Sequence, residues 1–148
     1  MIVFIGCGSK KNNKECKAKD MYQGGYFTTC LDYARTLTNE DNIYILSAKY
    51  GVLHLEDIIS PYNKTLNTAT KQEYAEWKQM VLEQFNKLGI TGNEEVTMLC
   101  GKNYYKELLT YFKNINLPLK DFKGMGYQIS FMKSQIKPKK QIGTLFNM

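Results

Sequence analysis

The sequence lacks several features that would place it in a familiar class of protein. No apolar run approaches the ~18 residues of a membrane span, and residues 1–6 enter an apolar segment without a charged leader. We therefore expect a cytoplasmic protein without a membrane partner. At 148 residues the chain corresponds to about one domain. We expect a single α/β domain over residues 1–148, with a Lys-rich tail from about residue 137.

Cysteine pairs are also lacking, although four cysteines are present. None of them forms a C-x-x-C pair, and no export signal precedes them, so reduced thiols are expected. Cys7, Cys16, Cys100 and His54 would be the ligands of a zinc site, but their spacings match no zinc motif. We therefore predict neither a metal nor a cofactor.

Arginine is almost absent, because Arg35 stands alone against nineteen lysines. Bidentate reading of guanine edges depends on arginine, so any contact with nucleic acid is expected at phosphate groups. No G-x-x-x-x-G-K-[ST] loop occurs, and Gly6-x-Gly8 is followed by Lys11 where the dinucleotide fingerprint requires glycine. These absences argue against a P-loop NTPase and against a dinucleotide-dependent enzyme.

The positive charge is concentrated at the two ends of the chain, which has a net charge of +6. Residues 1–20 hold five lysines against two acids, and residues 113–148 hold seven lysines against one acid. Residues 21–112 carry eight basic and eleven acidic groups. This distribution suits a polyanionic partner, and a lysine-rich surface that only maintains solubility is the alternative.

Three short apolar runs predict buried strands at residues 2–5, 43–46 and 96–100. Segments with helical spacing follow each run, and Cys30 and Trp77 lie on their apolar stripes, where core packing is expected. Alternation of strand and helix predicts a three-layer α/β/α fold. We expect a short parallel sheet of three to four strands with the first strand central.

A polar turn follows each predicted strand, and parallel strands would bring these turns to one edge of the sheet. A crevice at that edge is the default ligand site of such a fold. The predicted substrate-binding residues are Cys7, Ser9 and Lys10 in the first turn, Ser47, Lys49, Tyr50 and Gly51 in the second, and Gly101, Lys102 and Tyr105 in the third.

The segment from Ala48 to about Thr70 reads as one long loop, of a length that is more often functional than merely connecting. Asp57 is the first candidate for a catalytic carboxylate in this loop, and Glu56 is the second. Tyr62 in the same loop, and Tyr22 elsewhere, would stack on a base and complete the substrate-binding set.

The chain resembles a domain family of bacteria and their phages that carries an I-L-S-A-K-[YH]-G-L motif. The residues that carry the resemblance are Cys7-Gly8-Ser9-Lys10-Lys11, Met21-Tyr22 with Phe27, Ile45-Leu46-Ser47-Ala48-Lys49-Tyr50-Gly51-Val52-Leu53, Asp57, and Pro61-Tyr62-Asn63-Lys64-Thr65-Leu66. The family looks like a branch of the uracil-DNA-glycosylase-like superfamily, whose α/β fold the resemblance implies. The chain lacks the G-Q-D-P-Y and H-P-S elements, so the resemblance does not extend to uracil excision.

The resemblance implies an enzyme that acts on the N-glycosidic bond of a base in nucleic acid or in a nucleotide, as a hydrolase or a transferase. Two alternatives stay open from the residues themselves. One is a non-catalytic module that binds nucleic acid or a partner through its lysines. The other is an enzyme that hydrolyses small nucleotides without any polymer.

Overall fold

We analysed a computed structural model that describes residues 1–146 and the side chains of residues 1–136. The predicted Lys-rich tail from about residue 137 lies outside the described side chains. The strands are β1 (Ile2–Gly6), β2 (Cys16–Lys17), β3 (Ile43–Ser47), β4 (Gly51–His54), β5 (Ile58–Ile59), β6 (Glu95–Leu99) and β7 (Asn114–Asn116). The helices are α1 (Ala18–Met21), α2 (Gly25–Leu37), α3 (Lys71–Leu88), α4 (Lys102–Tyr105) and α5 (Met125–Phe146).

The central sheet has five strands in the order β4-β3-β1-β6-β7. β1 pairs in parallel with both β3 and β6, and β7 pairs in parallel with β6. The prediction that the first strand is central is therefore confirmed. The expected sheet of three to four parallel strands is corrected to a mixed sheet, because β4 pairs with β3 in antiparallel orientation.

β4 lies within the segment from Ala48 to about Thr70, which the sequence predicts to be one long loop. Only residues 48–50 separate β3 from β4, and Gly51 has a φ of 74°, a left-handed conformation that favours glycine. Gln84 holds the start of β4, since its Oε1 accepts from Val52 N at 2.8 Å and its Nε2 donates to Tyr50 O at 2.9 Å. Gly51 thus shapes a hairpin turn.

Helices cover both faces of the sheet, and the alternation of side chains along β1 divides the core between them. Val3 and Ile5 pack in a cluster with residues of α2 and α5, whereas Phe4 packs in a second cluster with residues of α3. Cys30 is 1% exposed and Trp77 is 3% exposed, which confirms both as core residues. No helix within the described residues has the length and apolar character needed to cross a membrane.

The ends of α3 follow from local sequence. Thr70 accepts a hydrogen bond from Glu73 N, and the Glu73 carboxylate accepts one from Thr70 N, forming the capping box that the sequence predicts. Gly89 ends the helix with a φ of 76°. These caps set the two ends of the helix, and Trp77 contacts the end of β3 through its hydrogen bond to Ser47 O.

Candidate functional site

Three polar turns meet where β1, β3 and β6 end, an edge that we call the carboxyl edge. Gly6 is paired with Leu46 and Ile5 with Leu99, so the residues that follow each strand are neighbours. Cys7 N donates to Leu46 O at 3.1 Å. Gly6 allows β6 to approach closely, because a Cβ atom there would lie 2.9 Å from the Cβ of Cys100.

A chain of three hydroxyl groups, which we call the hydroxyl triad, lies at this edge and consists of Ser47, Tyr62 and Tyr22. Ser47 Oγ donates to Tyr62 OH at 2.7 Å, and the hydroxyls of Tyr62 and Tyr22 are also 2.7 Å apart. Ser47 and Tyr22 are buried, at 0% and 1% exposure, and Tyr62 is half-buried. The triad joins β3 to two loops that are far apart in sequence.

The triad has three hydroxyl protons but only two hydrogen bonds between its members. Ser47 Oγ accepts from the backbone N–H groups of Lys49 and Tyr50, at 3.2 and 3.0 Å, so its own proton goes to Tyr62. A single proton bridges the hydroxyls of Tyr62 and Tyr22. Three hydroxyls supply three protons for two contacts, which leaves one phenolic O–H to donate to a group outside the triad.

Cys7 and Tyr104 form a second polar pair at the carboxyl edge. Cys7 Sγ donates to Tyr104 OH at 3.4 Å, and Leu66 N donates to the same hydroxyl at 3.4 Å. Trp77 connects this pair to the triad, because its ring stands perpendicular to that of Tyr104 and its Nε1 donates to Ser47 O at 2.9 Å. The packing of α3 therefore positions both groups.

Burial keeps the phenols of this edge protonated. Desolvation raises the pKa of Tyr22 to about 12, and it raises the pKa of Tyr62 and of Tyr104 well above the ordinary value of a phenol. Each of these side chains is therefore a neutral hydrogen-bond donor at pH 7.

The raised pKa of Tyr22 predicts a loss of stability in alkali. The folded state holds this proton more tightly than the unfolded state. The contribution of Tyr22 to the free energy of unfolding is therefore constant below the ordinary phenol pKa of about 10 and falls as the pH rises towards 12. Between these two pH values, each such phenol should lower the free energy of unfolding by about 1.4 kcal/mol per pH unit. Urea unfolding at a series of pH values should show a shallower decline in Tyr22→Phe and an unchanged one in the exposed variant Tyr127→Phe. Equal slopes in all three proteins would contradict the assignment.

Lysines flank the rings at the carboxyl edge. Lys11 Nζ lies 4.4 Å from the centroid of the Tyr62 ring, and Lys49 Nζ lies 5.2 Å from that of Tyr50. The Tyr50 ring stands perpendicular to the Tyr62 ring at 5.5 Å between centroids. Ser9 and Lys10 are exposed in the turn after β1, and Lys10 O accepts from Gln23 N. Lys11 thus lies against a ring of the triad, and Lys49 lies one ring further away.

The two predicted catalytic carboxylates lie elsewhere. β4 runs away from the carboxyl edge, and its last residue His54 pairs with Tyr44, which is three residues before Ser47, or about 10 Å along the strand. Asp57 Oδ2 accepts from His54 N at 2.9 Å and closes this turn. Asp57 therefore lies at the opposite end of β3 from the triad, and we remove it from the candidate site.

Glu56 occupies the same turn as Asp57 and is also removed from the candidate site. Its carboxylate binds Lys17 Nζ at 2.7 Å and Lys19 Nζ at 2.9 Å. Hydrogen bonds from these two ammonium groups lower the pKa of Glu56. Its contacts are those of an exposed surface ion pair that joins the turn to β2 and α1.

The third turn contributes to a separate cavity on the same edge. Gly101, Lys102 and Tyr105 line a cavity of about 250 Å³ together with Tyr26, Lys120 and Gln128. Because β6 lies beside β1 on the side away from β3, this cavity is displaced from the hydroxyl triad across the sheet. The predicted substrate-binding residues are thus divided between the triad and the cavity.

Tyr104 and Lys11 belong to the site but were not selected from the sequence. Tyr104 lies four residues before the buried Leu108, a spacing that places both on the inner face of a helix. This spacing is the sequence signal that would have favoured Tyr104 over Tyr105. No feature of the sequence distinguishes Lys11 from its neighbour Lys10. In the structure, Lys11 pairs with Tyr22 in an isolated antiparallel β-bridge, and this pairing brings Lys11 towards the ring of Tyr62.

The described residues offer no cluster of three or more histidine, cysteine, aspartate or glutamate side chains that would hold a metal ion. The zinc alternative fails for a specific reason. His54 lies at the far end of β4, whereas Cys7 follows β1 at the carboxyl edge. All four cysteines are free thiols.

Comparison with known proteins places this chain in a family. Residues 2–134 match the family described as "Family of unknown function (DUF6884)". The chain belongs to this family. The matched residues include the hydroxyl triad, Cys7 and Tyr104, together with every side chain that lines the cavity. The family description states no activity, so functional inference depends on the geometry of the site.

Individual relatives of this DUF6884 chain are found in several bacteria. It is 29% identical over 151 residues to the "Uncharacterized protein YfjM" of Bacillus subtilis, with 95% of this chain and 98% of that protein covered. A "UPF0246 protein" of Saccharophagus degradans is 33% identical over 97 residues, covering 60% of this chain and 37% of that protein. One of Crocosphaera subtropica is 27% identical over 111 residues, covering 72% and 41%. The chain thus spans less than half the length of these two UPF0246 proteins.

Proposed function

We propose that this protein binds a nucleotide, free or within a nucleic acid, at the carboxyl edge and acts on the N-glycosidic bond of its base. The observation that carries the proposal is the hydroxyl triad, which has a phenolic proton to donate and has Lys11 against its Tyr62 ring. The resemblance to the uracil-DNA-glycosylase-like superfamily supports the same reaction class. The proposal includes that fold relationship and a cytoplasmic location.

Cleavage of an N-glycosidic bond leaves the bonding electron pair on the base and positive charge on the sugar. A phenolic O–H that donates to an acceptor atom of the base stabilises the departing electron pair. Water completes the reaction in a hydrolase, giving its hydroxyl to the sugar and its proton to the base, whereas a different base takes the place of water in a transferase. Lys10, Lys11 and Lys49 would hold phosphate, and the ring of Tyr50 would pack against the base.

The second candidate is a non-catalytic module that binds nucleic acid. One observation favours it: among the described side chains, no carboxylate hydrogen-bonds to the triad, to Cys7 or to Tyr104. Glycosidic cleavage commonly uses a carboxylate to stabilise the sugar cation or to deprotonate water. In this alternative the lysines bind phosphate and the triad only orders the loops.

A base-release assay separates the two functions. The protein is incubated with modified and unmodified oligonucleotides and free nucleotides, and released base is measured by mass spectrometry. The proposed function predicts release by the wild type and by Asp57→Ala, since Asp57 lies away from the site. Salt-dependent binding without release of any base from this panel would favour the binding module instead.

Two triple lysine variants test where the nucleic acid binds. Replacing Lys10, Lys11 and Lys49 with glutamine should reduce the slope of log K against log salt by about 2–3, because roughly one counterion is released per phosphate contact. Replacing Lys71, Lys87 and Lys113, which are exposed, should leave the slope within about 0.5 of the wild type. Equal changes in the two triple variants would contradict binding at the carboxyl edge.

A further inference from the structure

We propose that the cavity between β6 and β7 is a separate binding site for a small phosphate monoester with a flat ring, of the type of a nucleoside monophosphate. The cavity lies where the turn after β6 meets the turn after β7, and α2 and α5 close it from one face. This inference goes beyond the proposed function and does not depend on it, since the cavity has its own walls and its own cations.

Charge selects the anionic part of the ligand. Lys102 and Lys120 line the cavity, and no carboxylate lines it within the described residues. Neither lysine takes part in an ion pair among the described side chains. Two ammonium groups match a phosphate monoester, which carries a charge of about −1.5 to −2 at pH 7.

The side chains that line the cavity favour a ligand with a flat ring. Leu117, Leu119 and the aromatic Tyr105 provide an apolar lining suited to a flat heterocycle. Gln128 Nε2 donates both of its hydrogens to the carbonyls of Leu119 and Phe122, each at 3.2 Å, and Gln128 Oε1 accepts from Tyr26 OH. This wall therefore presents acceptor lone pairs rather than free donors, and it favours a ring that carries N–H groups.

Size limits the ligand to one small molecule. A volume of about 250 Å³ lies just below the range of roughly 300–1,000 Å³ that is typical for pockets of small organic ligands. A single nucleotide is of this size, whereas a nucleic-acid strand is too large for the cavity and would lie along the lysines near the triad. The cavity therefore takes a free nucleotide and excludes a nucleic-acid strand.

Calorimetric titration with AMP tests the cavity directly. We expect saturable binding with a Kd below about 1 mM, and binding of ribose 5-phosphate that is at least about fivefold weaker because it lacks the ring. The double variant Lys102→Gln with Lys120→Gln should weaken AMP binding at least about tenfold. The charge-matched double variant Lys71→Gln with Lys113→Gln should change it less than about twofold.

Gly101→Met provides a second test that keeps both cations. A Cβ atom at Gly101 meets no heavy atom within 4 Å and the backbone there is extended, so the variant should fold while its side chain obstructs the cavity. Loss of AMP binding with an unchanged Tm supports the site. Absence of saturation up to about 10 mM AMP, or equal weakening in the two double lysine variants, would overturn the inference. Calorimetry measures binding and not base release. The proposed function is therefore decided separately, by the base-release assay, whichever result the titration gives.

Discussion

Tyr62→Phe is expected to lower the rate of base release about 100-fold or more, while the affinity for nucleotide changes less than about threefold. Tyr62 is the middle member of the hydroxyl triad, accepting from Ser47 and contacting Tyr22. Phenylalanine keeps the ring that packs against Tyr50 and Lys11 but removes the phenolic proton. The effect should therefore appear in kcat rather than in KM.

Tyr44→Phe is the matched control for this substitution. Tyr44 lies on the same strand as Ser47 but near its opposite end, next to His54. Its hydroxyl has no part in the triad, so both kcat and KM should stay within about twofold of the wild type. A Tyr62→Phe enzyme with full kcat would show that Tyr62 is not the donor, and the catalytic role given to its hydroxyl would be abandoned.

Trp77→Ala is expected to have the largest effect on stability, a loss of about 3–5 kcal/mol in the free energy of unfolding. Its side chain is 3% exposed and packs against Tyr74 and Tyr104, and its Nε1 donates to Ser47 O. The substitution leaves a cavity and removes the partner of a buried carbonyl. Urea unfolding monitored by far-UV circular dichroism measures the loss.

Leu88→Ala is the control on the same helix, because Leu88 is 36% exposed and should cost less than about 1 kcal/mol. Trp77→Ala should also weaken ligand binding at the carboxyl edge at temperatures where the variant is still folded, since Tyr104 and Ser47 lose the ring between them. A Trp77→Ala protein that is as stable as Leu88→Ala would contradict the central place given to this side chain.

The sequence predicted three of the four parallel strands because buried parallel strands appear as continuous apolar runs, whereas β7, which pairs in parallel with β6, is polar at Asn114 and Asn116 and was not predicted. Residues 2–5, 43–46 and 96–100 are such runs, and the structure places strands at each. β4 was missed because its apolar run is only two residues long, Val52 and Leu53, between Gly51 and His54. Its pairing with β3 depends on the turn conformation of Gly51 and on Gln84, which is more than thirty residues away.

The candidate site was only partly predictable for a similar reason. Ser47, Tyr22 and Tyr62 were selected as binding residues, but their hydrogen-bonded triad depends on how β2 and β5 pair and return the chain to the carboxyl edge. Carboxylates in a long loop suggest catalysis, which is why the sequence points to Asp57 and Glu56. The direction of β4 carries them to the other end of the sheet, and no local pattern reveals that direction.

The most direct measurement is a titration of the ¹⁵N-labelled protein with a nucleotide-containing ligand, a short single-stranded oligonucleotide, followed by NMR. The account predicts that the amide signals of residues 8–11 and of Lys49 and Tyr50 shift together, while those of residues 54–58 do not move. Shifts confined to residues 54–58 would return the site to Asp57 and Glu56. Shifts at neither place would contradict the claim that the hydroxyl triad and its lysines form a binding site.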